Sequence, residues 1–474
     1  MRISLFTSYN KQERIYLWGI IMIKTLFKHI SKYYKDTFVL AIAGVAVGVL
    51  VGLVDAAFGL GLNACTAIRT KYFWYLIWFL PLGGVFIWFI YHQFGKSVAN
   101  GMKMVFHVGL GKNTKLPIRM VPLSVIGTWT THLFGGSAGR EGVAVQIGAA
   151  VSNNIGRLVD KTIDIENSRK MFLITGMAAG FSGLFCTPLA AIFFALEVLV
   201  AGKLEYHALI PATVASISAA FTSRTLGLRK FHINILETLN YHPSTYNAVL
   251  LLKLATMGLV FGIVGSLFAL ILRYLRLKFA FRFSSPVKKV LIMGSVVAVL
   301  MMIFHQGRYS GTGSNLVALC FDGITDDIYA YDWILKMALT ILTLSSGFIG
   351  GEVAPLFSIG SCLGYVLGPV FGFDPMFGAA LGFASVFCSG SNTLLAAILV
   401  GVESFGYNML PFFSVVCFVS FIFNFNNSIF TAQRVAFTHP VRHQQLKRKR
   451  LNFRHGYKNP RPHFCNRSTL IIHI

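Results

Sequence analysis

Residues 139–148 read GREGVAVQIG, and this run places one acidic side chain, Glu141, at the start of a strongly apolar stretch. Glycines on either side of the pair Arg140–Glu141 allow the backbone to turn sharply and to point several N–H groups outward. The apolar stretch after Val143 predicts a helix, whose positive end then lies at the same point. Such an end attracts anions. A carboxylate tethered there competes with a mobile anion until it is protonated or displaced.

The composition of the whole chain is that of an integral membrane protein. Of 474 residues, 55% are hydrophobic and only 12% are charged, which is too apolar for a soluble domain. A membrane-spanning helix takes about 20 apolar residues. Several of the apolar segments contain glycine or proline, so we expect short, tilted and broken helices rather than a simple bundle. The candidate segments are 38–60, 74–93, 120–134, 168–201, 206–221, 249–272, 288–304, 333–349, 376–402 and 409–425.

The net charge of +25 is concentrated at the two ends of the chain. Basic residues crowd the first 35 positions and the tail after Gln433, and no acidic residue follows Glu403. Because cytoplasmic segments of membrane proteins are rich in Lys and Arg, we expect both termini to be cytoplasmic. The basic tail 436–474 is expected to be solvated, with anionic lipid as an alternative contact and nucleic acid as a weaker one. We therefore predict no nucleic acid partner.

The cysteines and histidines form no pattern typical of a metal site or an enzyme. Seven cysteines are scattered, mostly through apolar stretches, and His107, His132 and His207 are isolated. The sequence contains no Ser–His arrangement, no metal-ligand spacing and no phosphate-binding loop. We expect no cofactor, no metal and no enzymatic activity. A noncatalytic membrane scaffold that holds a partner through its basic tail is the alternative from another functional class.

Two stretches of sequence recur in the same order along the chain. TPLAAI starts at Thr187 and leads to Glu197, and TLLAAI starts at Thr393 and leads to Glu403, an offset of 206 (393 − 187). An Ile-Gly pair recurs with an offset of 212 (359 − 147), and a glutamate closely precedes each copy. The order indicates a duplicated membrane unit of about 200 residues with a join near 225–245. Duplicated halves commonly bring broken helices together near the midplane, where helix ends form an ion site.

These motifs resemble those of the CLC chloride channels and transporters. The resemblance rests on GREG followed by VQIG, on TPLAA ahead of Glu197, and on GGEVAP at 350–355, and it covers roughly residues 38–435. It implies an all-α integral membrane protein built as an inverted repeat of two helical halves. It also implies a homodimer with one pore per subunit in the lipid bilayer of the inner (plasma) membrane. The expected parts are a cytoplasmic segment 1–37, repeat halves at about 38–230 and 245–435, and the tail 436–474.

The resemblance assigns the central role to Glu141. It corresponds to the external gating glutamate of the family, which occupies an anion site until a proton or an anion removes it. The residues expected to shape its turn are Gly139, Arg140, Gly142 and Val143. The alternative is a salt bridge to Arg140 or a helix-start carboxylate that only stabilises the helix dipole, worth about 0.3–1 kcal/mol.

Two loops depart from the common family pattern. The first anion-binding loop, usually a Gly-Ser-Gly-Ile-Pro run, here reads NGMKM, so that Met102, after Gly101, replaces the serine. In the loop GEVAP, Glu352 replaces an apolar residue ahead of Val353 and Ala354, which are expected anion contacts. Both departures resemble the fluoride-selective branch of the family, whose members exchange fluoride for protons. Fluoride–proton antiport is therefore expected, with a chloride transporter or a passive chloride channel as the alternative.

Three further positions bear on the proton and anion routes. Phe430 stands where the family usually has a pore tyrosine; its ring edge carries partial positive charge and can face a halide, or the ring simply packs. Val198 stands where chloride exchangers have an internal proton-accepting glutamate, which the fluoride branch is similar in lacking. Glu197 and Glu352 are candidates for a direct proton route. For Glu197 the alternative is a partner to a buried donor, and for Glu352 it is a helix cap.

Overall fold

The computed structural model describes residues 11–96, 98, 100–112, 116–159, 168–239, 247–322 and 327–436. Helices dominate this part of the chain, and its residues from Lys11 to Arg434 belong to one compact unit. The tail beyond residue 436 lies outside the described residues. The helices are α1 (Lys11–Lys71), α2 (Phe73–Leu76), α3 (Leu80–Phe94), α4 (Met102–Gly109), α5 (Met120–Leu133), α6 (Glu141–Val159), α7 (Ser168–Phe185), α8 (Pro188–Glu197), α9 (Leu209–Thr225), α10 (Ile235–Thr238), α11 (Ala248–Arg282), α12 (Pro286–Ile303), α13 (Ser314–Phe321), α14 (Asp332–Ser346), α15 (Val353–Val370), α16 (Pro375–Ser391), α17 (Leu395–Phe405) and α18 (Leu410–Ile422).

Irregular and 3-10 segments connect several of these helices. The short 3-10 helices are Ile77–Phe79, Tyr206–Ala208, His305–Gly307 and Tyr407–Met409, and the two strands are β1 (Val200–Ala201) and β2 (Arg434–Val435). Among the described residues, five helical segments are long and apolar enough to cross a membrane: Tyr34–Lys71, Phe73–Phe94, Ala248–Arg282, Pro286–Ile303 and Val353–Val370. Of the remaining helices, α6 has 19 residues and α7 has 18, and all the others are shorter. Because α1 is continuous across residue 37, no break in secondary structure marks the expected end of the N-terminal segment.

The apolar segments 168–201 and 376–402 each contain two helices rather than one. The first breaks at Cys186, between α7 and α8, and the second at Asn392, between α16 and α17. Both residues have a φ of 56°, in the left-handed region, and their separation is 206 residues (392 − 186). This separation equals the offset of the sequence repeat. The two halves of the molecule therefore turn the chain at equivalent positions and start a new short helix there.

Glycines allow the principal helix pair of each half to pack backbone against backbone. A methyl group added to Gly148 of α6 would lie 2.0 Å from the carbonyl oxygen of Gly176 in α7. In the second half, a methyl group on Gly360 of α15 would lie 2.1 Å from the carbonyl oxygen of Gly382 in α16. Gly148 and Gly360 are the glycines of the repeated Ile-Gly pair. These small residues hold the helices that carry Glu141 and Glu352 close to the helices behind them.

Replacing Gly148 by alanine should destabilise the fold because backbone atoms of α7 occupy the space of the added methyl group. Overpacking of this kind costs about 1–3 kcal/mol. Thermal unfolding of the detergent-solubilised protein measures the loss, with Ser295→Ala on the exposed face of α12 as the control. Equal stability of Gly148→Ala and the control would show that α6 and α7 pack less closely than described.

Candidate functional site

The two glutamate loops pair with each other as a short antiparallel bridge. The N–H of Gly139 donates to the carbonyl oxygen of Gly351 at 2.6 Å, and the N–H of Gly351 donates back to Gly139 at 2.7 Å. Glu141 begins α6 two residues after this bridge, and Glu352 immediately precedes α15. The bridge therefore fixes the amino ends of α6 and α15 beside one another, each with a carboxylate.

The carboxylate of Glu141 caps the helix of the other half rather than its own. Its Oε2 accepts the N–H of Ala354, in the first turn of α15, at 2.9 Å and the N–H of Arg140 at 3.1 Å. The Nε of Arg140 lies 3.7 Å from Oε1, so the ion pair expected as an alternative is also present. Glu141 is only 1% exposed. The Glu141 carboxyl group thus lies buried against backbone N–H groups at the positive end of a helix, a position that favours an anion.

Because Gly139 and Gly142 have no side chains, they leave space for the carboxylates of Glu141 and Glu352. A methyl group on Gly139 would lie 2.9 Å from the Glu141 Oε2 and 3.0 Å from the Gly351 carbonyl oxygen. At Gly142 a methyl group would make ordinary contacts, but the next atoms of a larger side chain would meet Glu352, whose Oε2 lies 3.8 Å from the methyl position. Val143 and Val353 are buried behind the two loops. The site residues predicted around Glu141 are thus brought together.

Glu352 is held by a cation that the sequence motifs did not include. Arg276 of α11 donates from its Nη2 to the Glu352 Oε1 at 2.7 Å. Glu352 is in the N-cap position of α15, yet its side chain accepts no capping hydrogen bond. The helix end that it could have capped is taken by Glu141. Two carboxylates therefore lie on adjoining loops, one bound to backbone N–H groups and the other bound to an arginine.

Gly101 and Met102 lie at the amino end of α4, beside α6. Gly101 is the N-cap of α4, with a φ of 48° that favours glycine. A methyl group there would lie 3.4 Å from the Oε1 of Gln146, in α6. Met102 is partly buried and packs against the main hydrophobic core. These residues form a second group, beside the second turn of α6 rather than at the Glu141 carboxylate.

Phe430 lies in an aromatic cluster built on α4 and α8. Its ring stacks on Phe106, one turn after Met102, with centroids 5.3 Å apart, and meets Phe194 edge-on at 6.1 Å. Phe430 is buried, and its backbone N–H donates to the Ser428 Oγ at 3.1 Å. The packing role that the sequence left open for Phe430 is therefore present.

The repeated glutamates exchange helix caps between the two halves. Glu197, at the end of α8, accepts the N–H groups of Leu395 and Ala396 at the start of α17, at 3.3 and 2.8 Å. Glu403, in α17, accepts the N–H groups of Leu189 and Ala190 at the start of α8, at 3.3 and 2.9 Å. Each helix thus carries the cap of the other. For Glu197, this is the alternative of a partner to a buried donor.

Comparison with known proteins agrees with this architecture. The family described as voltage gated chloride channel matches residues 83–424. The chain belongs to the CLC family. A chloride/fluoride channel protein of Pseudomonas syringae pv. tomato is 34% identical to it over 411 residues, covering 86% of this chain and 88% of the relative.

Solved structures give the same fold. A CLC-type fluoride/proton antiporter matches this CLC chain with a TM-score of 0.80 and 44% sequence identity, covering 85% of this chain and 99% of the other. A slow cyanobacterial Cl⁻/H⁺ antiporter matches with a TM-score of 0.69 at 19% identity, covering 86% and 97% of the two chains, and so shares the fold. The protein is therefore an all-α, multi-pass membrane protein of the CLC type.

Three residues near these groups carried little or no signal in the sequence. Gln146 was part of the quoted motif without a role, and Phe106 follows Met102 by one helical turn. Arg276 precedes Glu352 by 76 residues, and only its position in an apolar helix hinted at a buried partner. Among the described residues, no group of three or more His, Cys, Asp or Glu side chains is placed to hold a metal ion.

Removal of either exchanged cap should lower stability. Glu403→Ala leaves the N–H groups of Leu189 and Ala190 without their acceptor in an apolar setting, which costs about 1–3 kcal/mol. Glu197→Ala should cost a similar amount at α17. Denaturation of the detergent-solubilised protein measures both, with the exposed Glu237→Ala as the control. If neither variant unfolds more readily than the control, the two carboxylates are not structural caps.

Proposed function

We propose that this CLC chain transports a halide, with fluoride as the preferred ion, across the membrane in exchange for protons. Glu141 serves both as gate and as proton carrier. The observation that supports this most strongly is the binding of the buried Glu141 carboxylate to the Ala354 N–H at the amino end of α15. That position is an anion site, and the chain's own side chain fills it.

The chemistry of the carboxyl group links anion and proton movement. As a carboxylate, Glu141 accepts the N–H groups of Ala354 and Arg140 and keeps an anion out. Once protonated, it loses the charge that the helix end attracts, and the two N–H groups become free to bind fluoride. Return of the carboxylate displaces the anion to one side of the membrane, and the proton leaves to the other side. One group therefore exchanges the two ions, provided that water and protons reach it from each side in turn.

Glu352 is proposed as a second group on the proton route. Its Oε2 faces Gly142, in the first turn of α6, while Arg276 holds Oε1. A carboxylate at this position is close enough to the Glu141 loop to receive a proton or to compete for it. The same proposal for Glu197 has less support, because both of its oxygens accept N–H groups of α17. A carboxylate bound in this way has few free positions for a proton.

Gly101, Met102, Val353 and Phe430 are proposed to line the anion path together with Arg140, Gly142, Val143 and Ala354. A thioether donates no hydrogen bond, so Met102 contributes shape and not a donor. The aromatic cluster supplies ring edges of partial positive charge to the same region. The preference for fluoride rests on Met102, on Glu352 and on the names of the matching relative and structure.

The oligomeric state, the membrane and the position of the termini are proposed from the resemblance to the family. We propose a homodimer in the lipid bilayer of the inner (plasma) membrane, with both termini in the cytoplasm, transporting ions without enzymatic activity. Large apolar side chains on the outside support a lipid or subunit contact; Phe221 of α9 and Phe418 of α18, for example, are 70% and 54% exposed. The boundaries 38–435 for the transport domain and 436–474 for the tail remain part of this proposal.

A fluoride gradient should drive proton movement in liposomes that contain the purified protein, and Glu141→Gln should stop it. Glutamine keeps an oxygen for the Ala354 N–H but has no proton that it can release and take up, so proton movement should fall at least about a hundredfold. Fluoride and pH electrodes record both ions, and the exposed Glu237→Gln is the control. Fluoride flow without proton movement in the wild type would indicate a passive channel. A faster response to chloride than to fluoride would indicate a chloride transporter.

The scaffold alternative predicts the opposite ranking of variants. Cutting the chain after Gln433 would then abolish function, whereas Glu141→Gln would leave it intact.

The selectivity assigned to Met102 can be tested separately from the gate. Met102→Ser introduces a hydroxyl donor at the start of α4, which should favour chloride and lower the ratio of fluoride to chloride transport about tenfold, the effect of one hydrogen bond to a charged group. Met104→Ser, in the same turn of α4 and also partly buried, is the matched control. An unchanged ratio in Met102→Ser would remove Met102 from the anion site.

A further inference from the structure

Two adjoining cavities lead to the neighbourhood of Glu141. The first, of about 260 Å³, is lined by Arg69, His305, Arg308 and smaller polar residues, and the second, of about 420 Å³, is lined by Arg140, Arg229 and others. They share three hydroxyl-bearing lining residues, which are Thr66, Thr312 and Ser314. No Asp or Glu from the described part of the chain lines either cavity. The walls are therefore rich in hydrogen-bond donors and positive charge.

Arg69 is a buried cation without a carboxylate partner among the described residues. It lies in the last turn of α1, is 8% exposed, and donates from Nη1 to the carbonyl oxygen of His132 at 3.0 Å. The guanidinium has five N–H donors, and one of them donates to a described residue, so the others can bind a further acceptor. Arg308, in the same cavity, is different because its Nη2 pairs with Asp332 at 2.8 Å. A buried unpaired cation is costly unless an anion reaches it.

A second buried cation lies behind the first. Lys336 of α14 is 0% exposed, and its ammonium donates to the Ser137 Oγ and to the carbonyl oxygens of Tyr309 and Gly311, at 2.9, 2.9 and 2.8 Å. The guanidinium of Arg69 lies over the same glycine, since a methyl group on Gly311 would be 2.6 Å from its Nη1. The acceptors of Lys336 are all neutral. Two basic side chains are thus close together, and no carboxylate in the described residues pairs with either of them.

The second cavity connects this positive region to the gate. Arg140 lines that cavity, and its Nε lies 3.7 Å from the Glu141 Oε1. An anion at Arg69 can pass Thr66, Thr312 and Ser314, whose hydroxyl groups replace part of its hydration, and reach Arg140. Each water in liquid occupies about 30 Å³, so the first cavity holds a halide with several of its waters. The space is too large to select a halide by size.

We propose that Arg69 and Thr66 form a second anion site, an antechamber in which a partly hydrated halide binds before it competes with the Glu141 carboxylate. This proposal rests on the proposed transport function. The antechamber raises the local halide concentration on one side of the membrane only, because the two cavities share Thr66, Thr312 and Ser314 and so form a single entrance. The antechamber changes the halide concentration that is needed for half-maximal transport. It does not change the number of protons exchanged for each anion.

Transport kinetics with fluoride varied on each side of the liposome in turn test this site in the full-length protein. Arg69→Gln should raise the half-saturating fluoride concentration about tenfold on one side, the effect of losing a hydrogen bond to a charged group. The maximal rate, the protons moved per fluoride and the value on the other side should not change. Arg69→Lys should recover part of the affinity because it keeps the charge. Arg282→Gln, at the exposed end of α11, should match the wild type.

A second variant protects the test against misfolding. Thr66→Val keeps the volume of the side chain, removes the hydroxyl group and should raise the half-saturating fluoride concentration about threefold on the same side. If Arg69→Gln lowers the maximal rate without raising the half-saturating concentration, Arg69 only supports the loop around Gly311 and the proposal is wrong. The proposal is also wrong if both variants match Arg282→Gln.

Bromide in crystals of the full-length protein separates this site from the transport function. Its anomalous scattering should show an ion against the Arg69 guanidinium in the wild type and none in Arg69→Gln. If wild-type liposomes move no fluoride but bromide binds at Arg69, the transport function is wrong and the anion site stands. If fluoride and protons are exchanged but bromide is absent from Arg69, the antechamber is wrong and the transport function stands.

Discussion

Helix ends buried in an apolar molecule must find partners, and in this protein the two halves supply them to each other. Glu141 of the first half accepts an N–H of α15 in the second, Glu197 caps α17, and Glu403 caps α8 in return. Each carboxylate reaches across the boundary between halves. An uncapped helix end without water would cost several kcal/mol. The exchange of caps therefore joins the halves and positions the short helices that surround the anion site.

The exchange is symmetric at one place and not at the other. Glu197 of α8 caps the start of α17, and Glu403 of α17 caps the start of α8. Glu141 and Glu352 do not, because Glu141 binds α15 while Glu352 is held by Arg276 and leaves the amino end of α6 without its carboxylate. The asymmetry leaves one helix end filled by a carboxylate and a second carboxylate close by, and the proposed coupling of protons to anions rests on this arrangement.

Positive charge without a fixed partner is the other constraint on the anion path. Arg69 and Lys336 are buried, and their contacts with described residues are to neutral oxygens. Arginines that pair with carboxylates, such as Arg308 and Arg276, are held in place. The paired negative charge weakens the electric field that they exert on their surroundings. Among the described residues, Arg308 and Arg276 thus shape the fold, whereas Arg69 keeps N–H donors for a mobile anion.

Sequence reasoning found the elements that local pattern controls. The Gly-Arg-Glu-Gly turn, the repeat offset of 206 and the broken helices all depend on residues that are neighbours in the chain, and Cys186 and Asn392 turn the chain at that same offset. It could not find partners far apart in sequence. Nothing near Glu352 indicates Arg276, and nothing near Ser137 indicates Lys336, because only the folded helices bring them together. The roles proposed for Met102 and Phe430 likewise depend on geometry that a motif does not carry.

Competition between fluoride and the Glu141 carboxylate for one helix end can be measured without a membrane. Titration calorimetry of fluoride into the detergent-solubilised protein, in two buffers of different ionisation enthalpy, counts the protons taken up for each anion bound. If fluoride binding displaces Glu141 and the displaced carboxylate is protonated, the wild type should take up about one proton for each fluoride bound. Glu141→Gln should take up none. Binding without proton uptake in the wild type, or equal uptake in both proteins, would contradict the role of Glu141.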